Sequence, residues 1–260
     1  MPYGAMNRWT YEESVVAFNL YCKIPFSQCS ARHPLIQRVA GAMGRSAAAL
    51  NMKIGNFGRF DPELRKRGIV GLRHGAVLEQ QVWDDFSNDW DGMTYQSEQW
   101  LQAYLLRDHR GPIYRAGAQP DRGPMGYDLP RLQKKRVNQD FFRAVVLANY
   151  NNCCCVTGLG VPELLVASHI VPWSVDQKQR TNPANGLCLN ALHDAAFDRG
   201  LITFDDSMRL VVSRVLENSC ALGEAKAFLL AYKGQRVAQA ERFRPQIEFL
   251  AYHRTHIFRG

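Results

Sequence analysis

Apolar positions in the first hundred residues recur at helical spacing. Thr10-Tyr-Glu-Glu13 pairs an N-cap residue with Glu at N3, the reciprocal capping pattern, and Val15, Val16, Phe18 and Leu20 follow. A helix is therefore expected to about Cys22, ended by Lys23-Ile-Pro-Phe26. The spacing predicts a second helix over residues 34–43, with Pro34 in its first turn and Leu35, Ile36 and Val39 buried. Gly44 stops it, and Ser46 caps a third helix carrying Leu50 and Ile54. Residues 79–90 read as another amphipathic helix with Val82, Trp83 and Phe86 inward. After residue 150 the pattern changes. Residues 163–170 are an apolar, β-compatible stretch ending in a histidine, and Pro172-Trp173 breaks it. Asn185-Gly186 is a turn signal before a short strand at Leu187-Cys188-Leu189. Asn190 caps a helix from about Ala191, and residues 201–204 and 208–213 form a hairpin. The fold class expected is α+β, a helical N-terminal domain followed by a mixed C-terminal one.

Charge divides the chain further. The 260 residues carry 32 Lys/Arg against 24 Asp/Glu, net +8. Residues 1–100 hold 11 basic and 10 acidic side chains, residues 101–143 hold 9 and 4, and residues 144–260 hold 12 and 10. The excess thus concentrates in the middle stretch, which is rich in Gly and Pro and contains Arg131, Lys134, Lys135 and Arg136. The expected organisation is a helical domain over 1–100, a basic Gly/Pro-rich connection over 101–143, and a second domain over 144–260. A positive stretch of this kind is either a solvated tether or a strap along a phosphate backbone. Mean hydropathy is −0.29. The longest uncharged run, residues 144–162, is too polar and Gly-broken to span a bilayer. No secretory h-region follows the first Met, and three of the seven cysteines are consecutive (153–155), so a reducing, cytoplasmic setting is expected.

The helix pair around Gly44 has the helix-turn-helix arrangement. Its second helix presents Arg45, Ser46, Asn51 and Lys53, side chains able to reach phosphates and base edges in a major groove. The alternative is a helical packing unit without DNA contact.

Chemistry concentrates after residue 150. Leu165-Val-Ala-Ser-His-Ile-Val-Pro-Trp173 ends its strand on His169; Asn182-Pro-Ala-Asn-Gly-Leu-Cys-Leu-Asn-Ala-Leu-His193 carries Asn185 before the next strand and His193 on the helix, followed by Phe197-Asp-Arg-Gly200. In this order and with these signposts, the region resembles the HNH nuclease family, built on a ββα-metal finger, in the branch with Ser-His-Ile-x-Pro-Trp and Asn-Gly-Leu segments. The resemblance covers about residues 150–258. It implies that His169 is the general base, that Asn185 holds the base-bearing loop, and that His193 is a ligand of a divalent cation, Mg²⁺ or Mn²⁺, at the scissile phosphate. It also implies products with 5′ phosphates. Many members carry an acid or His directly before the base as a metal ligand; here that position is Ser168, and Asp198 is the nearest substitute. Five residues from His193 is about 140° around a helix, so Asp198 needs a helix end or bend to join it. Cys153, Cys154, Cys155 and Cys188 match no structural zinc spacing, so buried thiols rather than zinc are expected.

The expectation is a metal-dependent endonuclease of restriction type acting on double-stranded DNA. A homodimer is expected, because one metal finger per strand calls for two copies. Two rivals remain: a nuclease that cuts only modified DNA, and a DNA-binding regulator that kept the fold without the chemistry.

Overall fold

The computed structural model describes residues 8–69, 77–107, 129–219 and 228–260. They fall into two compact units, Met1–Tyr114 and Arg115–Gly260.

The first unit is helical. Helix α1 (Tyr11–Lys23) begins at the Thr10 capping box, with Thr10 Oγ1 accepting from the Glu13 amide and Glu13 Oε2 from the Thr10 amide. It is the central element: Val15, Val16, Phe18, Leu20 and Cys22 have no exposed surface. Around it pack α3 (Ala47–Asn56), α5 (Val77–Asn88) and α6 (Trp90–Arg107). Phe18 is the hub of an aromatic cluster, its ring centroid 5.0 Å from Phe57, 4.5 Å from Phe86 and 6.1 Å from Trp90. Helix α2 (Pro34–Ala42) meets α3 through Gly44, whose φ of +68° is the left-handed conformation glycine adopts without strain. Ser46 accepts from the Ala49 amide and starts α3. The helical stretch expected over 79–90 is divided at Asp89, which accepts from the Gly92 amide and opens α6. A short helix α4 (Pro62–Lys66) is capped by Asp61.

The second unit begins with α7 (Leu129–Asn149), 21 residues long. Helix thus occupies both described ends of the 101–143 connection, residues 101–107 and 129–143. Helix α6 runs straight through residue 100, and α7 runs straight through residue 143. Phe141, Phe142, Val145 and Val146 form a buried stripe that continues the helix into the core, and Pro130 falls in the first turn, where it is tolerated. Most of the Gly/Pro positions that suggested a tether lie in 108–128, outside the described residues.

Two antiparallel strands, β1 (Leu165–His169) and β2 (Gly186–Asn190), lie against α7, with Ser168 opposite Leu187 and His169 opposite Gly186. Gly186 is required there: a Cβ would lie 2.4 Å from Val146 Cγ2 and 3.0 Å from Phe142 Cζ. Helix α8 (Ala191–Asp198) follows β2 directly, capped by Asn190. A second pair, β3 (Ile202–Phe204) and β4 (Leu210–Val212), leads to α9 (Arg214–Ser219). The last helix, α10 (Ile247–His256), packs on β3 through His253, whose ring stacks on Phe197 at 3.7 Å. Among the described residues no helix is long and apolar enough to cross a membrane.

Candidate active site

His169 stands at the end of β1 under a clamp made by its own loop. Its ring stacks on Phe142 of α7 at 3.8 Å and 11°, and meets Trp173 edge-on at 5.4 Å. The stack is possible because residue 186, directly across the ladder, has no side chain. His169 Nε2 lies 2.8 Å from the Arg180 carbonyl oxygen. A carbonyl only accepts, so Nε2 carries the proton and the lone pair of the neutral ring sits on Nδ1. Burial lowers the His169 pKa from its ordinary value, and the bond to Arg180 offsets only part of that. The ring is therefore neutral at pH 7 with a basic nitrogen to offer. Arg180 closes the loop on itself, donating from Nε to the Trp173 carbonyl at 2.8 Å with its guanidinium 5.3 Å from the indole centroid.

Asn185 holds the segment that follows the histidine. It is 2 % exposed. Its Oδ1 accepts from the Val171 amide at 2.8 Å, and its Nδ2 donates to the Val171 carbonyl at 3.1 Å. Its own carbonyl accepts from the Ile170 amide at 3.0 Å. Three bonds thus fix the chain one and two residues beyond His169.

Across β1, the other face meets α8. Asn190 Oδ1 accepts from the Leu192 and His193 amides, so that atom is an oxygen, and His193 Nδ1 lies 3.1 Å from it. Nδ1 is therefore the donor, and Nε2 of His193 bears the lone pair. That atom is buried without a hydrogen bond, in a ring that faces Phe228 at 5.3 Å and Tyr232 at 6.3 Å. Burial lowers the His193 pKa. Asp198 is exposed at the end of the helix; its charged neighbours are Asp194, one turn back, and Arg199. Asp194 is half-buried, and the hydroxyl of Ser168 approaches its carboxylate without completing a well-formed hydrogen bond. Burial raises the pKa of both carboxyls, and Asp194 raises that of Asp198 further.

These donors fit a hard cation. Ser168, Asp194 and Asp198 supply oxygen only, and Mg²⁺ or Mn²⁺ needs one or two carboxylates, the rest of its shell being water and substrate phosphate. Among the described residues no three His, Cys, Asp or Glu side chains converge as an all-protein cage would require. Cys153, Cys154, Cys155 and Cys188 form no disulfide; the last three are buried, and burial pushes the Cys188 thiol up to about 12.

The DNA-facing candidates separate into two groups. On α7, Arg131, Lys135 and Arg136 are exposed and Lys134 is half-buried. In the first unit the candidates have partners within the fold. Arg45 is bound through Nε and Nη2 to both oxygens of Glu13 at 2.7 and 2.8 Å, and its guanidinium lies 4.0 Å from the Trp9 centroid. Lys53 is paired with Glu79 at 2.9 Å with both side chains 3 % exposed. Ser46 is spent on its cap, and Asn51 accepts from Cys29 Sγ at 3.5 Å. Arg45 and Lys53 are each paired with a carboxylate from another helix, which no single-helix pattern reveals.

Three contributors escape a linear reading: Phe142, Arg180 and Asp194. Phe142 and Arg180 act through tertiary contact alone. Asp194 had one local signal, its place beside His193 in the helix that follows Asn190.

A β-strand ending in a loop-clamped histidine, a short returning strand and a capped helix bearing His and Asp make a ββα unit. In agreement, residues 154–205 match the family model described as HNH endonuclease. A comparison with curated proteins found no match. That match suggests nuclease activity on nucleic acid, and HNH nucleases generally use a divalent metal.

Proposed function

We propose that this chain is an endodeoxyribonuclease of restriction type that hydrolyses phosphodiester bonds in double-stranded DNA and leaves 5′ phosphates. The observation that carries the reading is the state of His169: Nε2 is committed to the Arg180 carbonyl, and Nδ1 is a lone-pair nitrogen on a ring held neutral by burial. Such a nitrogen accepts the proton of an attacking water. Asn185 keeps the loop that frames it from shifting. A bound Mg²⁺ or Mn²⁺ supplies charge stabilisation at the phosphate and the leaving oxygen. His193 and the α8 carboxylates, Asp198 among them, are the candidates to hold it.

The grip on DNA is assigned to α7. At about 100° per residue, Arg131 and Lys135 fall within roughly 40° of Phe142 on the helix surface, with Arg131 about 16 Å along the axis from it. The helix stripe that ends under His169 thus begins in basic side chains, which suits a phosphate backbone led toward the base. Lys134 and Arg136 flank that stripe. Cutting both strands calls for a second finger, so the active form is taken as a homodimer.

The test is digestion of methylated and unmethylated plasmid with Mg²⁺ or Mn²⁺, with sequencing of the cut ends, for the parent protein and for His169→Ala. Parent cleavage of unmethylated DNA with 5′-phosphate ends, lost in the variant by about 10²-fold or more, is expected. Cleavage confined to methylated DNA reassigns the enzyme to modified substrates; equal cutting by His169→Ala removes the mechanism.

A further inference from the structure

The C-terminal unit holds a cavity that His169 and its loop do not use. Helix α7 ends at Asn149, and Asn151 and Asn152, at φ +51° and +56°, turn the chain back. The turn closes on itself, the Cys154 amide donating to the Leu159 carbonyl and the Gly158 amide to the Cys154 carbonyl, both at 2.9 Å. A later segment crosses it, with the Ala238 amide on the Cys155 carbonyl and the Val237 amide on the Met208 carbonyl, again at 2.9 Å. Between turn and crossing segment is a space of about 410 Å³, within the range of small-ligand sites. Tyr150 and Tyr232 line it with rings, Asn151 and Gln239 with amides, and Arg236 is an exposed cation beside them. Tyr150 is 6 % exposed, and its hydroxyl is buried without a hydrogen-bond partner. A buried polar group in that state is uncommon, and in a cavity wall it is open to a ligand. Tyr232 has a second neighbour: its ring meets that of His193 edge-on, centroids 6.3 Å apart. The cavity therefore lies one aromatic ring away from a candidate metal holder.

The lining selects among ligands. Among the described residues that form it none is acidic, so a metal cation finds no carboxylate there. An apolar ligand leaves the amides and the Tyr150 hydroxyl unsatisfied. A nucleotide meets every group: a flat base for a tyrosine ring, donors and acceptors on its edge for the amides and the phenol, and a phosphate for the arginine. We propose that this cavity receives a base drawn out of the substrate strand beside the scissile phosphate. Tyr232 stacks on the base, Tyr150, Asn151 and Gln239 meet its edge, and Arg236 takes the adjoining phosphate. A base that is stacked and paired cannot reach such a pocket, so cutting includes a local opening of the duplex, which costs least where pairing is already weak.

The inference rests on the nuclease reading, but its test needs no cleavage. Cys153, half-buried in the same wall, is the reporter, since Cys154, Cys155 and Cys188 are buried. Its alkylation by N-ethylmaleimide in the full chain is followed by peptide mass spectrometry, with EDTA present. The probes are a mixed-sequence single strand, a paired duplex, the same duplex with a central mismatch, and free deoxynucleoside monophosphates. The single strand and the mismatched duplex are expected to slow alkylation at least ~5-fold, at concentrations about 10-fold below those the paired duplex needs. Tyr232→Ala is expected to raise the protecting concentration about 5-fold or more and Tyr232→Phe to keep it within about twofold, because the ring stacks without its hydroxyl. Tyr150→Phe raises it about threefold. Arg236→Ala, a change at an exposed position, lowers the salt slope of protection by about 1 and serves as the readout if Tyr232→Ala melts early. Unslowed alkylation with every probe overturns the proposal. So does equal protection by paired and mismatched duplexes, or protection by the monophosphates alone, which makes the cavity a site for free nucleotides. Protection by a parent that cuts no DNA with Mg²⁺ or Mn²⁺ keeps the base pocket and removes the nuclease reading; cleavage without protection does the reverse.

Discussion

As the proposed base, His169 has to be unprotonated to accept a proton from water, and burial of its ring favours that form. The Phe142 ring and the folded loop exclude water from one face, which disfavours the cation, while the Arg180 carbonyl fixes which nitrogen stays bare. Because burial lowers the pKa below its ordinary 6.5, the acid limb of kcat/KM against pH is expected to fall below pH 6.5, with activity retained as pH drops through that value. A profile already half lost at pH 7 excludes His169 as the titrating base. Asn185 acts differently. Its two side-chain bonds close on the amide and carbonyl of one residue, Val171, so Asn185→Ala leaves both buried groups unpaired, at about 1–3 kcal/mol each.

Among the elements, the closest fit is between α7 and β2. Gly186→Ala forces a methyl group into Val146 and Phe142, which lifts the helix from the strand and disturbs the ring stacked on His169. Overpacking of this kind costs about 1–3 kcal/mol. The variant is expected to melt lower and lose more activity than its stability loss accounts for, measured by thermal unfolding alongside plasmid cleavage at a temperature where it is folded. The exposed half of α7 makes a separate prediction. If Arg131 and Lys135 each neutralise a phosphate, replacing both with Ala lowers the slope of log K against log salt by about 2, uniformly across sequences, in fluorescence titrations with duplex DNA. An unchanged slope relocates the grip. The same elements show what a linear sequence carries. Thr10, Ser46 and Asn190 announce their helices because a cap acts within three residues, and the two strands follow from alternation and turn chemistry. Helix α7 is hidden because scattered Gly and Pro upstream outweigh a stripe whose partners, β1 and β2, lie dozens of residues later. Arg45 and Lys53 read as exposed because their counter-ions, Glu13 and Glu79, come from other helices. For the same reason the order His169, Asn185, His193 is legible, whereas the stack of His169 on Phe142 exists only once the strand has folded onto the helix.

At the scale of the molecule, histidines buried neutral make stability sensitive to acid. His253 is the clearest: stacked on Phe197, its Nε2 donates to the Phe197 carbonyl and its Nδ1 accepts from Thr203. Burial lowers its pKa from 6.5 to about 4. Between those values the unfolded chain binds the extra proton, so stability declines as pH falls from 6.5 to 4 and this contribution is exhausted below. Urea midpoints across that window check it; His253→Gln is expected to start lower at pH 7 and fall less. The paired Arg45–Glu13 and Lys53–Glu79 have a further consequence. Because both pairs are shielded from solvent, dissolved ions reach them poorly, whereas any phosphate held by the exposed cations of α7 competes with every ion in the buffer. Ionic strength therefore becomes a purification handle. Co-purifying nucleic acid is expected to wash off an immobilised sample with rising KCl, while the helical unit stays intact on the column.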